Sequence, residues 1–171
     1  MKVLINNQQT QLKINKRWIA LVADEVLKFE GVPENSELSV VLCDDDFIQK
    51  LNEEYLGNNR PTDVLSFPME SDPFEHGIRP LGDVVISVET ATHQAEKLKY
   101  STKLEIVFLL IHGILHLLGY DHDKKLDLTR MKKREETICQ LLGEKKLLKG
   151  LELKSSFPLI KRSQPGKIVK N

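Results

Sequence analysis

Apolar residues along this chain change period several times, and each change marks an element. Residues 2–5 (KVLI) and 37–43 (ELSVVLC) are short, β-branched-rich runs of the kind that form strands. Between them, over residues 16–30, Trp18, Ile19, Val22, Val26 and Phe29 recur at the spacing of one helix face. The run DDDFIQKLNEEYLG opens with cap-type aspartates, places Phe47, Ile48, Leu51 and Tyr55 at helical spacing, and stops at Gly57. In NNRPTDVLSFPME, Val64, Leu65 and Phe67 form a short extended run between Pro61 and Pro68. A proline has no N–H to give a ladder, so this run is expected at a sheet edge. SDPFEHGIRP reads as a loop from its glycine and prolines, and GDVVISV returns to strand character. Helices are expected over residues 89–99, over 102–118 with Ser101 as cap, and over 124–142, where Leu126, Met131, Ile138, Leu141 and Leu142 are the apolar points.

Strands early and helices late predict an α+β domain, with a small mixed sheet of about four strands packed by about five helices. Residues 1–150 are expected to form this single domain, its chemistry placed on a helix and turn in the C-terminal half. After Gly143 the periodicity lapses, and residues 151–171 read as a flexible basic tail. From residue 154 onward it holds Lys154, Lys161, Arg162, Lys167 and Lys170 and no acidic residue. Such a tail is either a frayed terminus or an electrostatic arm for RNA.

Composition narrows the class. A length of 171 residues suits one core, and 40% apolar with 29% charged residues is ordinary for a globular domain. The formal net charge is zero, so any attraction for phosphate must come from local patches. Cys43 and Cys139 lie far apart in apolar or helical contexts and read as reduced, packed thiols. The apolar run in MKVLINNQQT is too short for a signal peptide. The most apolar stretch, residues 107–118, is too short to span a bilayer and contains two histidines. The expectation is a soluble cytoplasmic protein with no membrane partner.

Residues 112–122 read HGILHLLGYDH. Positions four apart lie one above the other on a helix, so His112 and His116 can direct two nitrogens at one spot. Gly119 lets the chain turn out of the helix, which can swing His122 back over the same face. An apolar helix has no packing reason to bury three imidazoles. Zinc accepts three such ligands at about 2.0–2.1 Å and keeps a fourth position for water, the layout of a catalytic site. One zinc ion is therefore expected on His112, His116 and His122, although nickel, copper and iron also suit imidazole. The spacing HxxxHxxGxxH is that of metzincin sites, but Gly113 stands where those proteases carry their glutamate base.

A zinc-bound water has its pKa lowered toward about 7 and is a ready nucleophile. The spacing leaves the base open between the metal hydroxide and an acidic residue brought in by folding. Asp121 and Asp123 read either as partners that orient an imidazole or as solvated loop residues. Lys124, Lys125, Arg130, Lys132, Lys133 and Arg134 follow directly, interleaved with Asp123, Asp127, Glu135 and Glu136. That mixture is either a phosphate-contacting face or a plain solvated one. A zinc peptidase or small-molecule hydrolase remains open on spacing alone, weakened by the lost glutamate.

Taken with PTDVLSFP at 61–68 and LGDVVIS at 81–87, the HGILHLLGYDH run closely resembles the bacterial YbeY family of single-domain, metal-dependent endoribonucleases. The resemblance covers about residues 37–143, with the three motifs in the family's order and spacing. It implies an endoribonuclease that cuts single-stranded RNA, matures the 3′ end of small-subunit rRNA and takes part in ribosome quality control. It implies zinc on His112, His116 and His122, with His112 and His116 in the catalytic centre. As partners it implies an rRNA precursor and the small ribosomal subunit, together with a ribosome-associated GTPase or ribosomal protein. The family usually has an arginine directly after the tyrosine matching Tyr55, where this chain has Leu56. Arg60, four residues on, is the candidate to supply that charge as a catalytic residue. The edge run would then line the cleft, with Ser66 and backbone groups open to substrate. Leu56 also keeps open a non-catalytic ribosome-assembly factor whose metal only staples the fold.

Overall fold

A computed structural model describes residues 1–69, 77–120, 125–151 and 167–169. The elements run β1 (Lys2–Asn7), α1 (Lys16–Phe29), β2 (Ser36–Cys43), α2 (Asp45–Leu56), β3 (Val64–Pro68), β4 (Arg79–Ser87), α3 (Val88–Leu98), α4 (Thr102–Leu117), α5 (Lys125–Glu144) and β5 (Lys167–Ile168). The α+β reading holds, and the periodicity located the four longer strands and five helices. Side chains expected to cap do so: Asp44 Oδ1 accepts from the Phe47 N–H at 2.9 Å, and Ser101 Oγ from the Leu104 N–H at 3.3 Å.

The strands form one mixed sheet in the order β1-β2-β4-β3-β5. β1, β2 and β4 run parallel, β3 is antiparallel to β4, and β5 is parallel to β3. Among the described residues, Leu65–Ser66 of β3 has only the two-residue β5 on its outer side, the near-edge place its flanking prolines predict. β5 comes from the expected tail; residues 152–166 and 170–171 of that segment lie outside the described residues.

Alternation along the strands gives the sheet two unequal sides. On one, Leu38, Val40, Leu42, Val64, Val84 and Ile86 join α1, α3, α4 and α5 in the main core. On the other, Cys43, Leu65 and Val85 form a small cluster with Ile48 of α2. α4 crosses the larger side and is buried on every face from Leu104 to His116, so its polar groups must find partners inside the protein. Among the described residues no single helix is long and apolar enough to cross a membrane.

Candidate metal centre

Two of the three expected ligands meet as the helical spacing requires. His112 and His116 are 3% and 2% exposed, their rings cross at 88° with centroids 4.4 Å apart, and their Nε2 atoms lie 2.9 Å from one another. Each Nδ1 is engaged on the far side of its ring. His116 Nδ1–H donates to the Tyr120 carbonyl at 2.8 Å, and His112 Nδ1–H donates to Glu135 Oε1 at 2.7 Å. A carbonyl and a carboxylate only accept, so both rings carry a proton on Nδ1 and turn Nε2 inward. Two lone pairs directed at one point repel unless a cation shares them. Imidazoles with Nδ1 tied to a carboxylate or carbonyl and Nε2 converging are the donor set a zinc ion takes, so these residues fit the metal.

Beyond Leu117 the chain leaves α4 as Gly119 predicts: the glycine has φ +89°, its N–H donates to His116 O, and the Tyr120 N–H donates to Leu115 O. Asp121, His122, Asp123 and Lys124 lie outside the described residues. Among the described residues no group of three His, Cys, Asp or Glu side chains converges.

Comparison with known proteins bears on what such a pair serves. The family profile described as endoribonuclease YbeY matches residues 4–143. The chain belongs to this family. An endoribonuclease YbeY from Pelotomaculum thermopropionicum is 42% identical, the match covering 84% of this chain and 98% of that protein. One from Clostridioides difficile is 38% identical over 84% of this chain and 97% of its own. The solution structure of TM1509 from Thermotoga maritima shares the fold, with a TM-score of 0.54 at 23% identity, covering 91% of this chain and 97% of that one.

With YbeY membership in place, the surroundings of the pair correct several expectations. Gly113 does more than omit a protease base. A Cβ there would lie 2.6 Å from Val84 Cγ1 and 3.2 Å from Ser66 Oγ, so position 113 faces the sheet and has room for no side chain. Ser66 is likewise not open to substrate: it is 1% exposed and donates to the Gly113 carbonyl at 3.2 Å. The hydroxyl ties β3 to α4, because a buried O–H needs an acceptor.

Sequence reasoning placed Glu135 on a mixed, charged face and missed its role. It is 9% exposed and holds His112 from 23 positions away. A signal was present: Glu135 falls four after Met131 and three before Ile138, so it is a carboxylate set in α5's apolar stripe. Arg134 is no free phosphate ligand either, since its Nε–H donates to Glu30 Oε1 at 2.6 Å. Burial, with the hydrogen bond to Glu30, raises the Tyr120 phenol above its ordinary pKa, so it is the donor to Glu30 Oε2 at 3.1 Å.

Arg60 is exposed on the connection from α2 to β3, its carbonyl accepting from Asn52 Nδ2 at 2.8 Å. Leu56, where the family resemblance led us to expect an arginine, packs against the small cluster under α2. Beside the Gly119 turn lies a cavity of about 460 Å³, whose walls include Tyr120, Asp127 and Arg130.

Proposed function

We propose that this chain is a zinc-dependent endoribonuclease that cuts single-stranded RNA and matures the 3′ end of small-subunit rRNA. The reading rests on one observation, two buried imidazoles with both Nδ1 protons donated and both Nε2 atoms turned to one point. RNA as the substrate is supported by family membership. His112 and His116, with His122 as the third ligand, would hold one ion. When bound, that ion acts as a Lewis acid toward a phosphoryl oxygen and lowers the pKa of water toward about 7.

The chain's own residues prepare the site. Glu135 and the Tyr120 carbonyl lock the tautomer and aim of each ring, so no reorganisation is needed when substrate arrives. α4, buried on every face, excludes water behind the pair. Position 113 supplies no base. Arg130 on the neighbouring cavity wall and Arg60 on its loop offer positive charge to the phosphate backbone. The enzyme works in the cytoplasm on an rRNA precursor carried by the small ribosomal subunit, with a ribosome-associated GTPase or ribosomal protein as further partner.

Metal content and cleavage of a single-stranded RNA, with and without chelator, test this on the full chain. About one zinc per chain is expected, with cleavage abolished by chelator. His116→Ala should fold and fail to cut; Arg60→Ala should keep zinc and turn over more slowly. Undiminished cutting by zinc-free protein refutes the metal mechanism. Zinc-loaded wild type that binds ribosomal subunits without cutting any RNA would make it an assembly factor.

A further inference from the structure

A relay of side chains runs from the end of α1 to the second histidine. The Arg134 guanidinium lies 4.3 Å over the Phe29 ring, and its Nε–H donates to Glu30 Oε1 at 2.6 Å. Glu30 Oε2 accepts the Tyr120 hydroxyl at 3.1 Å, and the Tyr120 carbonyl accepts His116 Nδ1–H at 2.8 Å. The Glu30 side chain is only 5% exposed, and Arg134 and Tyr120 both donate to its carboxylate. Tyr120 follows Gly119, whose φ is +89°, and the Gly119 and Tyr120 N–H bonds to His116 O and Leu115 O hold the turn up to the Tyr120 nitrogen but not its carbonyl. An anchor on the tyrosine ring is what fixes the direction of its carbonyl.

We propose that Glu30 and Arg134 are positioning residues for His116: by clamping the Tyr120 hydroxyl across the Gly119 turn, they keep the Tyr120 carbonyl on Nδ1 and Nε2 aimed at His112. The relay serves His116 alone. His112 has its own partner in Glu135, the residue after Arg134, so one turn of α5 governs both rings. The inference rests on reading the two histidines as metal ligands, yet its first readout needs no metal.

Ring nitrogen–proton spectra of the metal-free, ¹⁵N-labelled full chain report each tautomer at a pH above imidazole titration. Competition with a chromophoric chelator reports zinc affinity. Tyr120→Phe deletes one oxygen; it should let His116 populate both tautomers, leave the His112 signals in place and weaken zinc binding about tenfold. Glu30→Gln should do the same. A His116 tautomer unmoved in both variants overturns the proposal, and so does a lowered unfolding midpoint with the tautomer unmoved, which marks a packing role. Should wild type bind no zinc while the variants still shift the tautomer, the relay stands and the metal reading fails.

Discussion

The two sides of the sheet hold their helices at different depths. On the α4 side, Gly113 brings helix backbone down onto Val84 and Ser66, and every residue from Leu104 to His116 is buried. Each polar group there is met: the histidines by Glu135 and Tyr120, and Glu105 by the Tyr100 hydroxyl. On the α2 side the cluster is small, rimmed by half-buried Val41, Leu51, Leu56 and Phe67, and Tyr55 stands exposed with its ring edge-on to Phe67 at 5.1 Å. The difference teaches where chemistry can be housed. Only full burial on a rigid helix keeps two imidazoles dry and correctly turned, and full burial is tolerable because each has a partner. The small cluster on the thinner side includes a titratable group, the Cys43 thiol, which donates to the Ile86 carbonyl at 3.4 Å.

Four changes would break or sharpen this contrast. Gly113→Ala forces a methyl into the helix–sheet contact and should cost about 1–3 kcal/mol in urea unfolding. Gly143→Ala in α5, where a Cβ meets nothing within 4 Å, should instead stabilise by about 0.4–1 kcal/mol. Equal effects at the two glycines would mean that α4 does not depend on close approach.

Glu135→Leu removes the acceptor of His112 Nδ1 and should weaken zinc binding about 10- to 100-fold in a chelator competition, with the fold retained. Unchanged affinity would remove α5 from the site. The smallest effect belongs to the thin side. Burial, then the charges of Asp44 and Asp45, push the Cys43 thiol from 9.0 up to about 12. Between those values the unfolded chain loses a proton that the folded chain keeps, so stability declines as pH rises from 9.0 toward about 12. Cys43→Ala should flatten that alkaline decline in urea midpoints. An identical slope would show the thiol to be accessible.

Short-range physics was legible in the sequence. Period and cap residues located the elements because a helix or strand is decided within a few residues of itself. The same locality made the convergence of His112 and His116 readable, and the turn at Gly119 with it. The anchor of His116 is local too, four residues away, whereas that of His112 comes from 23 positions downstream and exists only once α5 docks on α4.

Long-range packing decided what spacing could not express. Gly113 looked like a missing base, yet its space is taken by Val84. Ser66 looked like a substrate contact and is a strut. Glu135 and Arg134 looked like neighbours on one solvated face, and they are turned to different partners, one to His112 and one to Glu30. Sequence alone determined the four longer strands, the five helices and the paired imidazoles, since local backbone geometry carries them, but not the short β5. Tertiary structure decided which proton each imidazole keeps, because a tautomer is chosen by whatever acceptor folding places beside it.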